Sequence, residues 1–535
     1  MQNLLLVNLM RMGDILQMTP LIQGLRETHP EARISMVLNE AFVEVAHRID
    51  VDRILPLPMR SFIEIVSKEA NLVEACAYLT DFIQRVNAEG AYDLVFNLTP
   101  SQSAASLSSL IDHDAHRGMC LAEDGAFQAV DPWAAYLVAM MAHRRTNPFH
   151  LVDIWLRSLA QRGPRCLMMS LSPEDIRRTD ELLDQCDIAL DRDLLVGFQV
   201  SASQKEKCWS EKEFVRLGQA LHQGLNARVL LFGVAGEETL CQRVSNHIPG
   251  SVNLAGKTNL GELAGVLKRC EVLVTNDTGT QHVATAVGTR VVLISVGPVF
   301  FRETGPYGEG HLIFQARLPC GPCSFHTTCL NPVCKERIRA ELVYKALVRL
   351  LRGEDGLPED LPQEVSCYRS GFDQEGCLAF LSLSPTFEDY MLKTYKRFWH
   401  ALLEGGCLDA FQKGVEGLNP EILAGWSHLE TLLRRCSSLI QQIRESGIPE
   451  RRASSSLRIL SDNLKTAEKE MKRLALDIEE LAPVTRYLLL RREALSFQDP
   501  MQFLKETSSL YSLVAEQISH TCESFVTRKE ARSYG

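Results

Sequence analysis

The sequence predicts an α/β protein with two similar parallel-sheet halves and a mainly α-helical C-terminal extension. Three observations carry that expectation. Short apolar runs alternate with helical segments through roughly the first 350 residues, and three of those runs end in polar turns that open helices. Beyond a polar, proline-containing stretch the apolar spacing then changes to alternating steps of three and four. The expected domains are residues 1–165, an N-terminal Rossmann-like half; residues 190–350, a C-terminal Rossmann-like half; and residues 365–535, the extension.

The strand-like runs are Leu4–Leu9, Arg33–Leu38, Asp93–Leu98, Leu194–Phe198, Arg228–Phe232, Glu271–Thr275 and Arg290–Ser295. Near-continuous runs of this kind suit strands covered by helices on both faces. Gly163-Pro164, Ser172-Pro173 and a helical segment over 174–188 place a boundary between the halves. After the first run, Met12-Gly13-Asp14 forms a turn and Ile15–Thr28 reads as one helix containing Pro20. After Leu194–Phe198 come Ser201-Ala202-Ser203 and then Lys207-Cys208-Trp209, where another helix begins. After Glu271–Thr275, Asn276-Asp277-Thr278-Gly279 turns into an Ala-rich helix carrying Thr280 and His282. Such a helix start offers unpaired N–H groups and the positive end of the helix dipole, which together favour a phosphate or diphosphate. In open α/β sheets ligands sit beyond the carboxyl ends of the strands, where all three turns fall.

Each side chain also has a plainer reading. Asp14 suits an N-cap for the following helix, Lys207 a solvated surface charge, and Asp277 and His282 local turn or cap contacts. The pairs Asp112-His113-Asp114 and Asp191-Arg192-Asp193 lie away from strand ends and imply no catalytic metal.

Composition narrows the function. A length of 535 residues suits two or three domains, and a net charge of −10 argues against an extended nucleic-acid footprint. The apolar start lacks a basic leader and runs into Gly13-Asp14, so no secretory signal is expected, and no apolar run is long enough to span a bilayer. Most of the sixteen cysteines are isolated in strand-like or helix-like contexts, which suits reduced thiols and a cytoplasmic setting.

Met12-Gly13-Asp14, Ser201 to Lys207-Cys208-Trp209, and Asn276 to His282 together resemble the motifs of glycosyltransferase family 9, the heptosyltransferases. Asn253 to Thr258 and Thr304 to Gly308 add to the match. The resemblance covers roughly residues 1–350 in the right order. It implies a GT-B fold, with residues 1–165 on the acceptor side and residues 190–350 binding the nucleotide sugar, and inverting transfer of a sugar, heptose, from an ADP-activated donor to the lipopolysaccharide core or a related glycan. It also implies chemistry without a catalytic metal. Asp14 then matches the base that deprotonates the acceptor, and Lys207 the cation that receives the diphosphate. Gly13, Ser201, Ser203, Asp277, Thr278, Gly279, Thr280 and His282 are the expected donor-binding residues. Two further readings stay open: transfer to protein or another glycan, and a catalytically silent nucleotide-sugar-binding scaffold. A glycolipid acceptor implies work at the inner face of the cytoplasmic membrane, with a peripheral membrane contact.

Two features depart from simple members of the family. Cys320, Cys323, Cys329 and Cys334 form a C-x2-C-x5-C-x4-C loop that suits a structural zinc or iron site, free thiols or disulfides. The extension follows a linker over 352–362 and a hairpin-like stretch, Val365–Leu383. Asn419-Pro420 then opens a helix whose stripe is Trp426, Leu429, Leu433, Cys436, Ile440 and Ile443. A second stripe runs Leu457, Leu460, Leu464, Ala467, Met471, Leu474, Ile478 and Leu481. A turn over Gly447–Ala453 would fold the two stripes into an antiparallel heptad hairpin, packed within the chain or used for homo-oligomer formation.

Overall fold

A computed structural model describes residues 1–67, 72–325, 327–354, 356–358, 360–382, 384–405, 420–445, 455–495 and 499–526. The chain divides into two compact units. One comprises Met1–Thr99, Leu107–His116 and Phe149–Pro385, and the other Pro100–Ser106, Arg117–Pro148 and Thr386–Gly535.

In the first unit, β1 (Asn3–Asn8), β2 (Arg33–Asn39), β3 (Arg53–Leu57) and β4 (Tyr92–Asn97) form a parallel sheet in the order β3-β2-β1-β4. Leu4, Leu5, Leu6 and Val7 are all buried, because helices cover both faces. A strand β5 (His113–Leu121) starts in this unit and runs into the other, where Met119–Leu121 pairs antiparallel with β6 (Phe127–Ala129). The helix expected over Ile15–Thr28 is two helices, Met12–Leu16 and Thr19–Thr28. Pro20 falls in the first turn of the second, where its missing N–H costs no hydrogen bond, so it starts a helix here and is not embedded in one.

The second sheet of this unit contains β7 (Leu194–Gln199), β8 (Ala227–Phe232), β9 (Val252–Asn253), β10 (Val272–Thr275), β11 (Arg290–Ser295), β12 (Leu312–Ala316), β13 (Val365–Phe372) and β14 (Leu378–Leu381). Their order is β14-β13-β12-β11-β10-β7-β8-β9. β7 to β12 are parallel; β13 and β14 add an antiparallel edge. The hairpin expected at Val365–Leu383 therefore exists but extends this sheet, although the sequence grouped it with the helices. Val365 and Cys367 are buried in the sheet's core, which also takes Val196, Phe198, Val274, Ile294 and Phe314.

Strand order reverses beside β1 in one sheet and beside β7 in the other, since β1 lies between β2 and β4, and β7 between β8 and β10. Those reversals open crevices at the strands' carboxyl ends. The segment joining the two sheets contains the helix Pro173–Gln185, capped reciprocally by Ser172 and Asp175. Asp175 also forms a 2.5 Å ion pair with Arg48, which holds its carboxyl well below the usual carboxylate range. Gly261 and Gly265 of the helix Leu260–Arg269 leave room for Asp175 and Thr179, since a Cβ at either glycine would lie 2.0 Å or less from those side chains.

The second unit is helical, with Phe387–Glu404, Pro420–Glu445, Ser455–Asp477, Ala482–Glu493 and Pro500–Val526 as its main elements. In the first expected stripe Trp426, Leu429, Leu433, Cys436 and Ile440 are buried, and Ile443 is half-buried. In the second, Ala467, Met471 and Leu481 are buried and Leu460, Leu464, Leu474 and Ile478 half-buried. The side chain of Leu457, the cap residue Asn419 and the turn Gly447–Ala453 lie outside the described residues. Pro420–Glu445 packs against Ser455–Asp477, but its longer interface is with Pro500–Val526, where Ser437 Oγ lies 2.8 Å from Ser508 Oγ and 2.7 Å from Ser512 Oγ. A two-helix hairpin is thus too small a description. The helix Pro132–Met140 also belongs to this unit and packs on Ala482–Glu493, with Trp133 to Met140 all buried. Tyr136, Tyr395 and Tyr487 each meet the ring of Trp399 edge-on, at 4.9, 5.7 and 5.3 Å between centroids. Among the described residues no helix is long and apolar enough to cross a membrane.

Candidate active site

Three strand ends of the first unit converge on one cleft of 820 Å³. The first strand end is that of β1. Asn8 shapes its turn by accepting the Met10 N–H at 3.0 Å and donating to the Asp14 carbonyl at 3.3 Å. Asp14 is the third residue of the short helix, and its carboxylate accepts the Arg11 N–H at 3.1 Å. The capping reading and the cleft-facing reading both hold, because one oxygen can cap while the side chain still lines the cleft. Burial pushes the Asp14 carboxyl up to about 6; the Arg11 N–H and charge oppose the rise, and Asp277 and Glu303 add to it.

The second strand end is that of β7. Lys207, only 9% exposed, ends the turn Lys205–Lys207 and places its ammonium 2.6 Å from Asp277 Oδ2. It is therefore not a solvated surface charge. Trp209 anchors the segment, with its indole N–H on the Ile338 carbonyl at 2.8 Å and its backbone N–H on Asn276 Oδ1 at 2.8 Å. Ser203 lines the cleft. Ser201 is instead buried beneath it, accepting from Gln199 Nε2 at 2.7 Å.

The third strand end is that of β10. Asn276 is buried, and its amide donates to the Val200 carbonyl at 2.9 Å, tying this turn to the end of β7. Asp277, Thr278, Gly279, Thr280 and His282 all line the cleft. Thr278 precedes the eight-residue helix Gly279–Ala286, whose first N–H groups have no partner within the helix. Asp277 is held from two sides, by Lys207 and by Gln281 Nε2, which donates to Oδ1 at 3.0 Å. His282 is buried, which pushes its imidazole down to about 4, so the ring is neutral at pH 7. It packs on Gly13, where a Cβ would come within 2.5 Å of His282 Cδ2. Met12 packs likewise on Gly279, where a Cβ would lie 2.7 Å from its Cε. The two glycines let the first and third turns touch.

Four contributors escaped the sequence reading. Gln281 sits beside His282, where its orientation could be settled only once the helix was placed. Glu237 lines the cleft from beyond β8 and accepts the Val234 N–H at 3.0 Å. Gln17 lines it from the end of the first short helix. Phe325 lies in the cysteine loop, with its ring centroid 5.3 Å from the Lys207 ammonium. A lone aromatic in a polar loop offered no periodic signal.

In that loop Cys320 and Cys329 are exposed, Cys323 and Cys334 half-buried, and among the described residues no disulfide joins any of them. Burial raises the Cys334 thiol. Among the described residues no group of three or more His, Cys, Asp or Glu is gathered to hold a metal ion. The four cysteines that suit a tetrahedral zinc or iron site by spacing are therefore not assembled as one.

The sequence and fold find counterparts among known proteins. Residues 80–334 match glycosyltransferase family 9 (heptosyltransferase). Lipopolysaccharide heptosyltransferase 3 of Escherichia coli (strain K12) is 25% identical over 364 residues, which span 65% of this chain and 96% of that protein. Lipooligosaccharide heptosyltransferase 2 of Haemophilus influenzae is 33% identical over 128 residues, 23% of this chain and 36% of that protein. A crystal structure of a family 9 glycosyl transferase from Veillonella parvula superposes with a TM-score of 0.51 at 21% identity, covering 66% of this chain and 98% of that one. With two parallel sheets, a cleft at their switch points and these relatives, the chain carries its match to glycosyltransferase family 9 (heptosyltransferase) over residues 80–334 and is similar to enzymes of that family.

Proposed function

We propose that the enzyme transfers heptose from ADP-heptose, with inversion, to a hydroxyl of a lipopolysaccharide-core acceptor. One observation carries the reading: a carboxylate with a raised pKa and no ion-pair partner among the described residues lines the same cleft as a lysine–carboxylate pair at a helix start. Asp14 takes the proton of the attacking hydroxyl, which is a poor nucleophile at neutral pH without a base. Lys207 and the N–H groups at the start of Gly279–Ala286 receive the charge that develops on the departing diphosphate. Attack opposite the leaving group inverts the anomeric carbon. Heptose and the lipopolysaccharide core draw support from the names of the relatives, and ADP from the family resemblance.

We further propose a peripheral membrane contact, because the acceptor is lipid-linked, and self-association through the helical unit. A structural metal at Cys320, Cys323, Cys329 and Cys334 has the spacing in its favour, but the loop would have to close around it.

A panel of nucleotide sugars tests the reading. ADP-heptose at 100 times its Kd should stabilise the protein by about 2.7 kcal/mol, with UDP- and GDP-sugars well below that. Heptose should then pass to a lipopolysaccharide core and not to protein. Stabilisation by a different nucleotide sugar alone would overturn the donor, and transfer to protein alone the acceptor.

A further inference from the structure

The cysteine loop, which the transfer chemistry leaves without a role, reaches the donor site through one side chain. The Phe325 ring lies 5.3 Å from the Lys207 ammonium, on a side chain already held by Asp277 at 2.6 Å. A lysine has four rotatable bonds, so one ion-pair partner alone does not settle where its charge sits. An aromatic face near the ammonium attracts it through the ring quadrupole and takes the place of water.

The loop is tied to the turn that carries the lysine. Lys335, just past Cys334, donates from its ammonium to the Lys205 carbonyl. Cys323 N–H donates to the Gly297 carbonyl at 3.2 Å. Gly297, at φ +67°, lies so close to the Glu206 backbone that a Cβ would come within 2.4 Å of its carbonyl oxygen. Both flanks of Phe325 therefore rest on the Lys205–Lys207 turn or on the glycine packed against it. Phe300 adds a second ring 5.7 Å from Phe325.

We propose that Phe325 is a positioning residue for Lys207 and that the cysteine loop is the brace that holds it there. The proposal rests on Lys207 as the diphosphate ligand. When the donor arrives its phosphate oxygens compete with Asp277 for the ammonium. The ring keeps that charge at the cleft instead of letting it follow solvent.

A double-mutant cycle on the full chain tests it, reading ADP affinity, donor KM and kcat. Phe325→Leu is expected to weaken ADP binding and raise donor KM about three- to tenfold, with a smaller effect on kcat. Phe325→Tyr, which keeps the aromatic face, should restore both. In a Lys207→Ala background Phe325→Leu should add nothing, because its effect passes through the lysine. An unchanged donor KM in Phe325→Leu, a full additive effect in the Lys207→Ala background, or failure of Tyr to rescue overturns the proposal. Lys207→Ala without effect on ADP affinity would instead sink the donor-site reading itself.

Discussion

The turns after β1 and after β10 are built alike, yet their carboxylates live differently. Asp14 and Asp277 each follow a buried parallel strand and sit at or beside the start of a helix. Asp14 has an N–H contact from Arg11 and no cation in hydrogen-bond contact among the described residues, and burial pushes its carboxyl up to about 6. Asp277 is clasped by Lys207 and Gln281. Burial moves the titration of the first toward neutral pH, whereas the second is paired with a cation. Two similar groups are thus set apart by their surroundings, not by their own chemistry.

The largest expected effect breaks the first half of that comparison. Asp14→Asn should lower kcat by roughly 10²-fold or more while leaving ADP affinity nearly unchanged, because Asn can cap the turn but cannot take the proton. The parent's kcat/KM should fall about tenfold per pH unit below about 6, as Asp14 becomes protonated, and the residual activity of the variant should lack that limb. The stability effect has the opposite sign. The folded state holds this proton more tightly than the unfolded chain, so stability declines as pH rises from about 4 to about 6. Asp14→Asn should recover about 1–2 kcal/mol at pH 7, a figure reduced because the side chain still meets solvent at the cleft. Near-normal turnover in the variant would remove Asp14 from the mechanism.

A smaller effect sharpens the second half. Lys207→Ala should weaken both ADP binding and turnover, by about 1.5–3 kcal/mol for a lost charge-assisted hydrogen bond. It also leaves Asp277 without its cation beside the incoming diphosphate. Titration of the variant with ADP reads both consequences, and unchanged affinity together with an unchanged rate would leave the ion pair a structural one.

The smallest effect on the site is expected from the helical unit. Leu433→Asp with Met471→Asp places unpaired charges at buried positions and should cost about 3–5 kcal/mol of that unit's stability. ADP affinity should stay within about twofold. Loss of donor binding in a protein that is still folded would make the extension part of the active site.

The strand-turn-helix units around Asp14, Lys207 and Asp277 were legible because each is local. A buried parallel strand must be apolar without interruption, and a turn into a helix needs small and hydrogen-bonding residues, so the pattern survives in a short window of sequence. Local signals failed where a partner decides. Pro20 fits a helix start as well as a kink, and the structure places it in the first turn of Thr19–Thr28. β13 and β14 read as an isolated hairpin, yet Val365–Arg369 pairs with β12, far back in the chain. A cut at Gly353 would therefore take two strands out of the second sheet. The helix Pro132–Met140 is apolar on every side, so nothing in its spacing announces that it packs on Ala482–Glu493.

By itself the sequence determined the alternation of strands and helices, the three turns that line the cleft and the heptad stripes, all set by spacing within a few residues. Only the tertiary structure decided that Lys207 pairs with Asp277 seventy positions away, that Gly13 makes room for His282, and that Phe325 covers the lysine. Those contacts join residues with no local relation in the chain. Their energies depend on burial and on partners that exist only once both sheets have formed.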